Sequence, residues 1–533
     1  MLPKIAQKLP RFPFLKSRSR FSALTCLFAG ILMGITCDPV NAWFFAWIAL
    51  IPLWIGVVQQ QRFQMQNLKL PLAFALGYYG VTLFWITGVH PMTWMGVPWF
   101  NSLLIAIACW LILIVWGSVL VTLWWLGMTI LSRWLSHPLQ RILLGVTLWC
   151  SLETLWSYTP LHWTTFAFTQ SPYNLPILQL LSISGTTTVT AAIVAFNGLL
   201  AEAILLSHRR NQRLTGVFIT AAFTLLVSLH LAGWWLYLQP IQQPVAVPGE
   251  EAIRVGIIQG NIPNTIKLYP EGWRKAIDGY TSGYINLAQA GAEAILTPET
   301  ALPFQWTQQV NQRSPFYQAI LDHGVPAWVG AFGRKQGRYT NSLYSISAAG
   351  ETLSRFDKVK LVPLGEYIPL EDWFGKVINR LSPLDSHLAK GDPDQTFLTP
   401  FGKAIVGICY ESAYGEHFRR QAANGGEFIL SASNDAHYSE TMPAQHHAQD
   451  IMRAIETDRA MVRATNTGYS AFVDQRGNTL WLSDMNQYQT QIATIYKRQT
   501  KTLYVRWGNW LNWVLLGFTM IVVAKTITLR TER

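Results

Sequence analysis

The sequence predicts a chain in two parts, a multi-span α-helical membrane bundle and an α/β domain, closed by one further apolar span near the C-terminal end. Three observations predict this. Half of the 533 residues are hydrophobic, 24 are Trp and only 13% are charged, a composition that favours a bilayer as solvent for part of the chain. Apolar stretches of spanning length recur through the first 237 residues. From about 251 to 500 the pattern changes to short β-rich runs separated by polar or helical stretches.

The first 21 residues carry Lys4, Lys8, Arg11, Lys16, Arg18 and Arg20, which predicts a cytoplasmic basic N-terminus. No small-residue cleavage site follows convincingly, so the first apolar run reads as an uncleaved span. Spans are expected near 22–37, 43–58, 70–89, 101–127, 142–158, 180–206 and 214–237, making 22–237 a membrane domain of about seven spans. The fifth is the shortest and carries Glu153, so a partly re-entrant segment is its alternative. Residues 238–250, with Pro240, Pro244 and Pro248, form a linker; 507–526 is the C-terminal span and 527–533 a cytoplasmic tail.

Alternation across the membrane can be checked against charge. The loops and ends that should lie inside carry 16 Lys and Arg: the six above, Arg62, Lys69, Arg133, Arg141, Arg209, Arg210, Arg213, Lys525, Arg530 and Arg533. The short loops that should lie outside, 38–42, 90–100 and 159–173, carry none, which puts residues 238–506 outside the cytoplasm. The polar domain is therefore expected on the outer face of a membrane, away from the cytoplasm.

A net charge of +12 raises the question of nucleic acid. Residues 251–500 hold 23 Lys and Arg against 24 Asp and Glu, so the polar domain is nearly neutral and no nucleic-acid partner is expected. Of the five cysteines, Cys26, Cys37, Cys109 and Cys150 fall in or beside apolar segments and only Cys409 in the polar part. A disulfide framework is not expected, and no Cys/His spacing suggests zinc.

Within 251–500 the runs IRVGIIQGN, AEAILTPET, AWVGAFGR, AIVGICYE and FILSASND read as strands. Helical spacing predicts helices over 272–290 and 443–463, and NSLYSISAAGETLSRFDK predicts a hairpin turning at Ala349 and Gly350. Cys409, in GICYES, follows the apolar run AIVGI and sits at the carboxyl end of a buried strand, where α/β folds build sites. Taken alone it reads more readily as a small buried core residue than as a nucleophile. Glu299 ends a strand in ILTPETALP and Lys358 follows a hairpin strand in FDKVKLVPLGE; each alone reads as a surface ion-pair partner. The three in one domain supply a base, a cation and a thiol, the minimum set for covalent acyl transfer.

The combination of TPETALP, KVKLVPLGE and GICYES, in that order, resembles the Glu-Lys-Cys triad of the nitrilase superfamily. With spans on both sides, and with QGNIP, NSLY, SNDA and QHHAQDIMRAIETDRAMVRATNTG in place, the whole chain resembles the bacterial apolipoprotein N-acyltransferases, membrane-embedded members of that superfamily. The resemblance implies an α-β-β-α sandwich for the polar domain. It implies Glu299 as general base, Lys358 as the cation that stabilises the oxyanion and Cys409 as nucleophile, with Lys360 as the competing lysine. It implies supporting or substrate-binding roles for Glu366, Tyr410 and Glu411, the last as ready to orient backbone as to touch substrate. Family members commonly carry Trp where this chain has Leu268 and His437, so both positions are expected to line substrate. The implied partners are a phospholipid acyl donor, a diacylglyceryl apolipoprotein acceptor and the bilayer, with ping-pong chemistry through a thioester and no cofactor or metal. His437, His446 and His447 read as solvated or packing histidines, the last two facing different ways on a helix.

Two other readings compete. A membrane-tethered amidase or nitrilase would use the same triad with water, but a simple anchor needs one span rather than seven. A transporter or scaffold with an inactive domain fits poorly with so few charges in the spans. Finally, Leu370, Trp373, Phe374, Val377, Ile378 and Leu381 recur at helical spacing just beyond Glu366, predicting an amphipathic arm whose Trp373 and Phe374 face lipid or the domain's own core.

Overall fold

The computed structural model describes residues 22–60, 64–135, 137–239, 252–307, 313–367, 387–436 and 438–531. The expected arm at 368–386, with Trp373 and Phe374, and also His437 and most of the linker, lie outside the described residues.

The expected apolar stretches are occupied by helices. These are α1 (Ala23–Gly34), α2 (Ile51–Gln59), α3 (Lys69–Thr82), α4 (Trp99–Leu131), α5 (Pro138–Trp156), α6 (Thr186–His208) and α7 (Gln212–Leu238). Among the described residues four helices are long and apolar enough to cross a bilayer: Trp99–Trp134, Thr186–His208, Gln212–Leu238 and Trp510–Thr528. Close helix packing in an apolar bundle rests on small residues. A Cβ on Gly30 would stand 2.1 Å from the carbonyl oxygen of Phe74, and one on Gly77 2.4 Å from that of Leu27, which is how α1 and α3 lie backbone to backbone.

Three charged residues buried inside this bundle, Arg141, Glu153 and Glu202, are satisfied by an ion pair or by hydrogen bonds. Arg141, counted above with a cytoplasmic loop, lies within α5 and donates from Nε to Glu202 Oε1 at 2.8 Å and from its terminal nitrogen to Oε2. Glu153 accepts from Trp149 Nε1, Phe166 N and Thr190 Oγ1 at 2.7 to 2.9 Å, so the acidic residue of the fifth span is satisfied by neighbouring bundle segments.

The polar domain consists of two sheets between helices. The first sheet runs β13 (Gln489–Tyr496), β1 (Ala252–Gln259), β2 (Ala294–Leu296), β4 (Ala327–Lys335), β5 (Arg338–Ile346) and β6 (Thr352–Asp357), with β3 (Leu302–Gln305) against β4. The second runs β12 (Thr479–Leu482), β11 (Ala471–Val473), β10 (Met461–Thr465), β9 (Phe428–Ser433), β8 (Gly402–Ile408) and β7 (Phe397–Thr399). Their facing sides bury Ile253, Val255, Trp328 and Phe356 against Val406, Phe428, Leu430 and Phe472. Helices α8 (Pro270–Gln289) and α9 (Pro315–His323) cover the first sheet through Tyr280, Tyr284 and Phe316. Helices α10 (Gly415–Ala423) and α11 (Thr441–Thr457) cover the second. This is the α-β-β-α order expected.

One helix differs in extent from the sequence reading. The helix expected over 443–463 stops at Thr457, where Asp458 takes φ +57, and the chain re-enters the sheet as β10. The β5–β6 hairpin turns at Gly350, with φ +77, as predicted.

Helix α11 joins the two parts. Gln445 accepts from Trp163 Nε1 at 2.8 Å and donates to the Thr82 carbonyl at 3.0 Å, and Ser171 Oγ donates to the Ala448 carbonyl at 2.7 Å. Beyond the domain, α12 (Trp510–Thr531) returns to the bundle and meets α5 through Thr519 and Thr147 at 2.7 Å.

Candidate active site

Three strand ends converge on one cavity. Glu299 follows β2, Lys358 follows β6 and Cys409 follows β8, and all three are buried. The backbone there is held in unusual conformations: Thr300 at φ +44, Leu364 at φ +66 and Cys409 at φ +53 all line the cavity. Such left-handed residues cost about 1 to 3 kcal/mol each and persist only where the surroundings enforce them. At Cys409 the twist ends the strand and begins a 3₁₀ turn, Cys409–Ala413, so the thiol leaves the sheet and faces the cavity.

The charged groups are tightly arranged. Lys358 Nζ donates to Glu299 Oε1 at 2.9 Å and to Glu366 Oε1 at 3.0 Å. Asn341 Nδ2 donates to the same two oxygens, at 2.6 and 3.1 Å. Burial would lower the affinity of Lys358 for its proton, but Glu299 and Glu366 outweigh it and hold its pKa well above the ordinary lysine range. Burial, followed by the Glu299 charge, pushes the Cys409 thiol well above its usual pKa, against the opposing pull of Lys358. At neutral pH the sulfur is therefore a thiol that needs a partner to take its proton.

Lys360 points elsewhere. Its ammonium stands 4.6 Å over the ring of Tyr414, and burial lowers its pKa. Glu411 is fully buried and accepts from the backbone N–H groups of Val359, Lys360 and Ile408 at 2.7 to 3.0 Å. It orients backbone, fastening the Lys358 loop to the Cys409 turn. Tyr410 stacks on Trp163, and its hydroxyl donates to the carbonyls of Pro160 and His162, tying the same turn to the membrane part. Leu268 lines the cavity and packs with Phe332, Leu361 and Leu388.

Several contributors were not singled out from sequence. Asn341 lay within the NSLY motif, and Lys267 beside Leu268. Asp435, Asp450 and Arg463 lay within SNDA and the long α11 motif; with His446, which the sequence offered as a solvated or packing histidine, they form a buried network beside Cys409. Arg463 pairs with Asp435 at 3.0 Å and Asp450 at 2.6 Å, and the His446 ring bridges Asp435 Oδ1 at 3.1 Å and the Cys409 carbonyl at 2.8 Å. Ligand atoms of Cys409, Asp435 and His446 lie within 4.8 Å of one another, but both nitrogens of that ring are already engaged. His447 instead meets Thr479 at 2.9 Å, on a different side of α11 from its neighbour.

The cavity, about 370 Å³, has two ends. Lys267, Glu299, Asn341, Lys358, Glu366 and Cys409 line the polar end. Leu83, Trp85, Val89, Cys109, Ile112 and Leu113 line the other, between the 3₁₀ turn after α3 and the middle of α4, where Ile112 is exposed on the outer face of the bundle. A carboxylate, an ammonium and a thiol at one end of a cavity whose other end is apolar suit transfer of an acyl group carried on a long hydrocarbon chain.

Comparison with known proteins supports both parts. Residues 254–503 match the carbon-nitrogen hydrolase family, and residues 29–199 match the apolipoprotein N-acyltransferase N-terminal domain. The chain is 55% identical over 94% of its length to an apolipoprotein N-acyltransferase from Nostoc sp., of which the match covers 98%. It is 48% identical over 92% of its length to one from Synechocystis sp., again covering 98% of it. Among solved structures, an amidase of the nitrilase superfamily from Nesterenkonia AN1 is 17% identical, with a TM-score of 0.35, over 49% of this chain and 95% of that one.

Proposed function

The chain belongs to the apolipoprotein N-acyltransferase family, and from that premise we propose that it carries an acyl chain from a phospholipid, through a thioester on Cys409, to the N-terminal amine of a diacylglyceryl-cysteine lipoprotein. The observation that carries this reading is the single cavity whose polar end holds Glu299, Lys358 and Cys409 and whose apolar end reaches the outer face of α4.

In the first half-reaction Glu299 takes the Cys409 proton as the sulfur attacks the ester carbonyl. The tetrahedral oxyanion is met by the Lys358 ammonium; one such donor contributes about 3 kcal/mol. The C–O bond breaks, Glu299 returns the proton to the departing alkoxide, and a lysophospholipid leaves. In the second half-reaction the acceptor amine attacks the thioester, Glu299 takes the amine proton, the C–S bond breaks and the thiolate recovers its proton. Glu366 keeps a negative partner on Lys358 while Glu299 is protonated. The buried site limits competing hydrolysis of the thioester.

The apolar helices support an inner-membrane protein, and the distribution of Lys and Arg supports both termini inside, with the catalytic domain on the periplasmic face. A small-amide hydrolase has no use for the apolar half of the cavity. Intact-mass analysis after exposure to phospholipid tests the reading: an acyl adduct on the Cys409 peptide, discharged by a diacylglyceryl-cysteine peptide, is expected. An adduct elsewhere, or none, overturns it.

A further inference from the structure

The cavity contains a second buried lysine that the mechanism does not use. Lys267 is 3% exposed and lines the same polar end as Cys409 and Glu299. Its turn, Asn264–Lys267, is firmly seated. Asn261 N donates to the Asn466 carbonyl at 2.7 Å, Ile262 N donates to Asn466 Oδ1 at 3.0 Å, and Asn434 Nδ2 donates to Asn264 Oδ1 at 2.9 Å. Helix α8 presses on it: a Cβ on Gly272 would stand 2.0 Å from the Ile266 carbonyl oxygen, so only glycine permits that approach. The long side chain is thus delivered into the cavity by rigid backbone.

Its bonding is incomplete for a buried cation. Lys267 Nζ donates to the Glu299 carbonyl at 3.0 Å, and among the described residues it forms no ion pair, whereas Lys358 has two. Burial lowers its pKa to about 8, with Glu299 and Cys409 pulling the other way. A buried ammonium with two N–H donors unspent among the described residues favours an anion. The carboxylates of the site are already shared by Lys358 and Asn341.

Resting on the acyl-transfer reading, we propose that Lys267 binds the phosphodiester of the donor lipid while the ester of that lipid lies at Cys409. The alternative roles, propping the Glu299 turn or balancing the second carboxylate, act on every donor alike. Recognition of the phosphate acts only on donors that carry one.

The test compares formation of the Cys409 acyl-enzyme from dipalmitoylphosphatidylglycerol and from dipalmitoylglycerol, which has the same chains and ester bonds but no phosphate, in one detergent. Wild-type protein is expected to prefer the phospholipid by tenfold or more in rate at subsaturating donor, the scale of one charge-assisted hydrogen bond of about 1.5 to 3 kcal/mol. Lys267→Gln retains a donor for the Glu299 carbonyl and removes the charge, so this preference should collapse towards unity. Lys267→Arg should keep most of it. No preference in the wild type, a preference that survives Lys267→Gln, or equal losses with both donors overturns the inference. The wild-type comparison stands even if the Gln variant fails to fold. Absence of any acyl adduct in the wild type from either donor would instead overturn the thioester reading.

Discussion

Lys358 and Glu366 are joined through Nζ and Oε1 at 3.0 Å, so the lysine has a carboxylate besides Glu299. Their relationship sets a pH expectation. Glu299 and Glu366 together hold the Lys358 pKa above its ordinary value against burial, so removing one charge lowers it. Glu366→Gln should reduce acyl-enzyme formation by about ten- to a hundredfold, the scale of a lost charge-assisted bond. It should also move the alkaline limb of the pH–rate profile to lower pH. An unmoved limb would show that Glu366 only holds the backbone N–H of Val362, to which it is bonded at 2.8 Å.

The acidity and the competence of Cys409 should separate. Burial first, and the Glu299 charge second, keep the thiol pKa high. Glu299→Gln should therefore let a soluble alkylating agent react with Cys409 at lower pH than in the wild type, yet acyl transfer should fall by about a thousandfold because the proton acceptor is gone. Cys409→Ala should abolish both labels with the protein still folded. Alkylation and transfer falling in parallel in Glu299→Gln would argue that the variant has merely distorted the site.

The two lysines of KVK should behave differently. Lys358→Met removes the cation whose charge opposes the rise of the Cys409 pKa and should cost about a hundred- to a thousandfold in rate. Lys360→Ala removes an ammonium stacked on Tyr414, a contact of about 0.5 to 1 kcal/mol, and should change the rate by less than about fivefold. Steady-state rates for the two variants decide between them, and the reverse order would reassign the cation.

The Arg141–Glu202 pair makes a stability prediction. Both side chains are buried in the bundle, and breaking a buried pair from one side typically costs about 3 to 5 kcal/mol. Glu202→Ala should lower the unfolding temperature in detergent strongly, whereas Arg141→Met with Glu202→Leu should recover most of it. A double variant no more stable than the single one would mean that further bundle contacts depend on this pair.

Topology is open to a direct check. A cysteine label at residue 211 should react only from the cytoplasmic side, and one at residue 245 only from the opposite side, as the charge asymmetry of the loops requires. Reversed accessibility at both positions would invert the reading.

The sequence alone determined the two-part architecture, because hydrophobic composition and period are local properties of the chain. Spanning runs such as 101–127 and strand runs such as AIVGI need no knowledge of their neighbours. It also supplied Glu299, Lys358 and Cys409, through short motifs at strand ends. Tertiary structure alone decided which groups meet. That Glu411 ties the Val359 and Lys360 backbone to the Cys409 turn, that Arg141 lies inside a helix opposite Glu202, and that Lys267 shares a cavity with Cys409 are contacts between segments dozens to over a hundred residues apart. The end of α11 at Thr457 was likewise hidden, since periodicity persists in the sequence past the point where Asp458 turns the chain into β10. Such contacts depend on where helices and sheets come to rest in space, and a one-dimensional pattern of polarity carries no record of that distance.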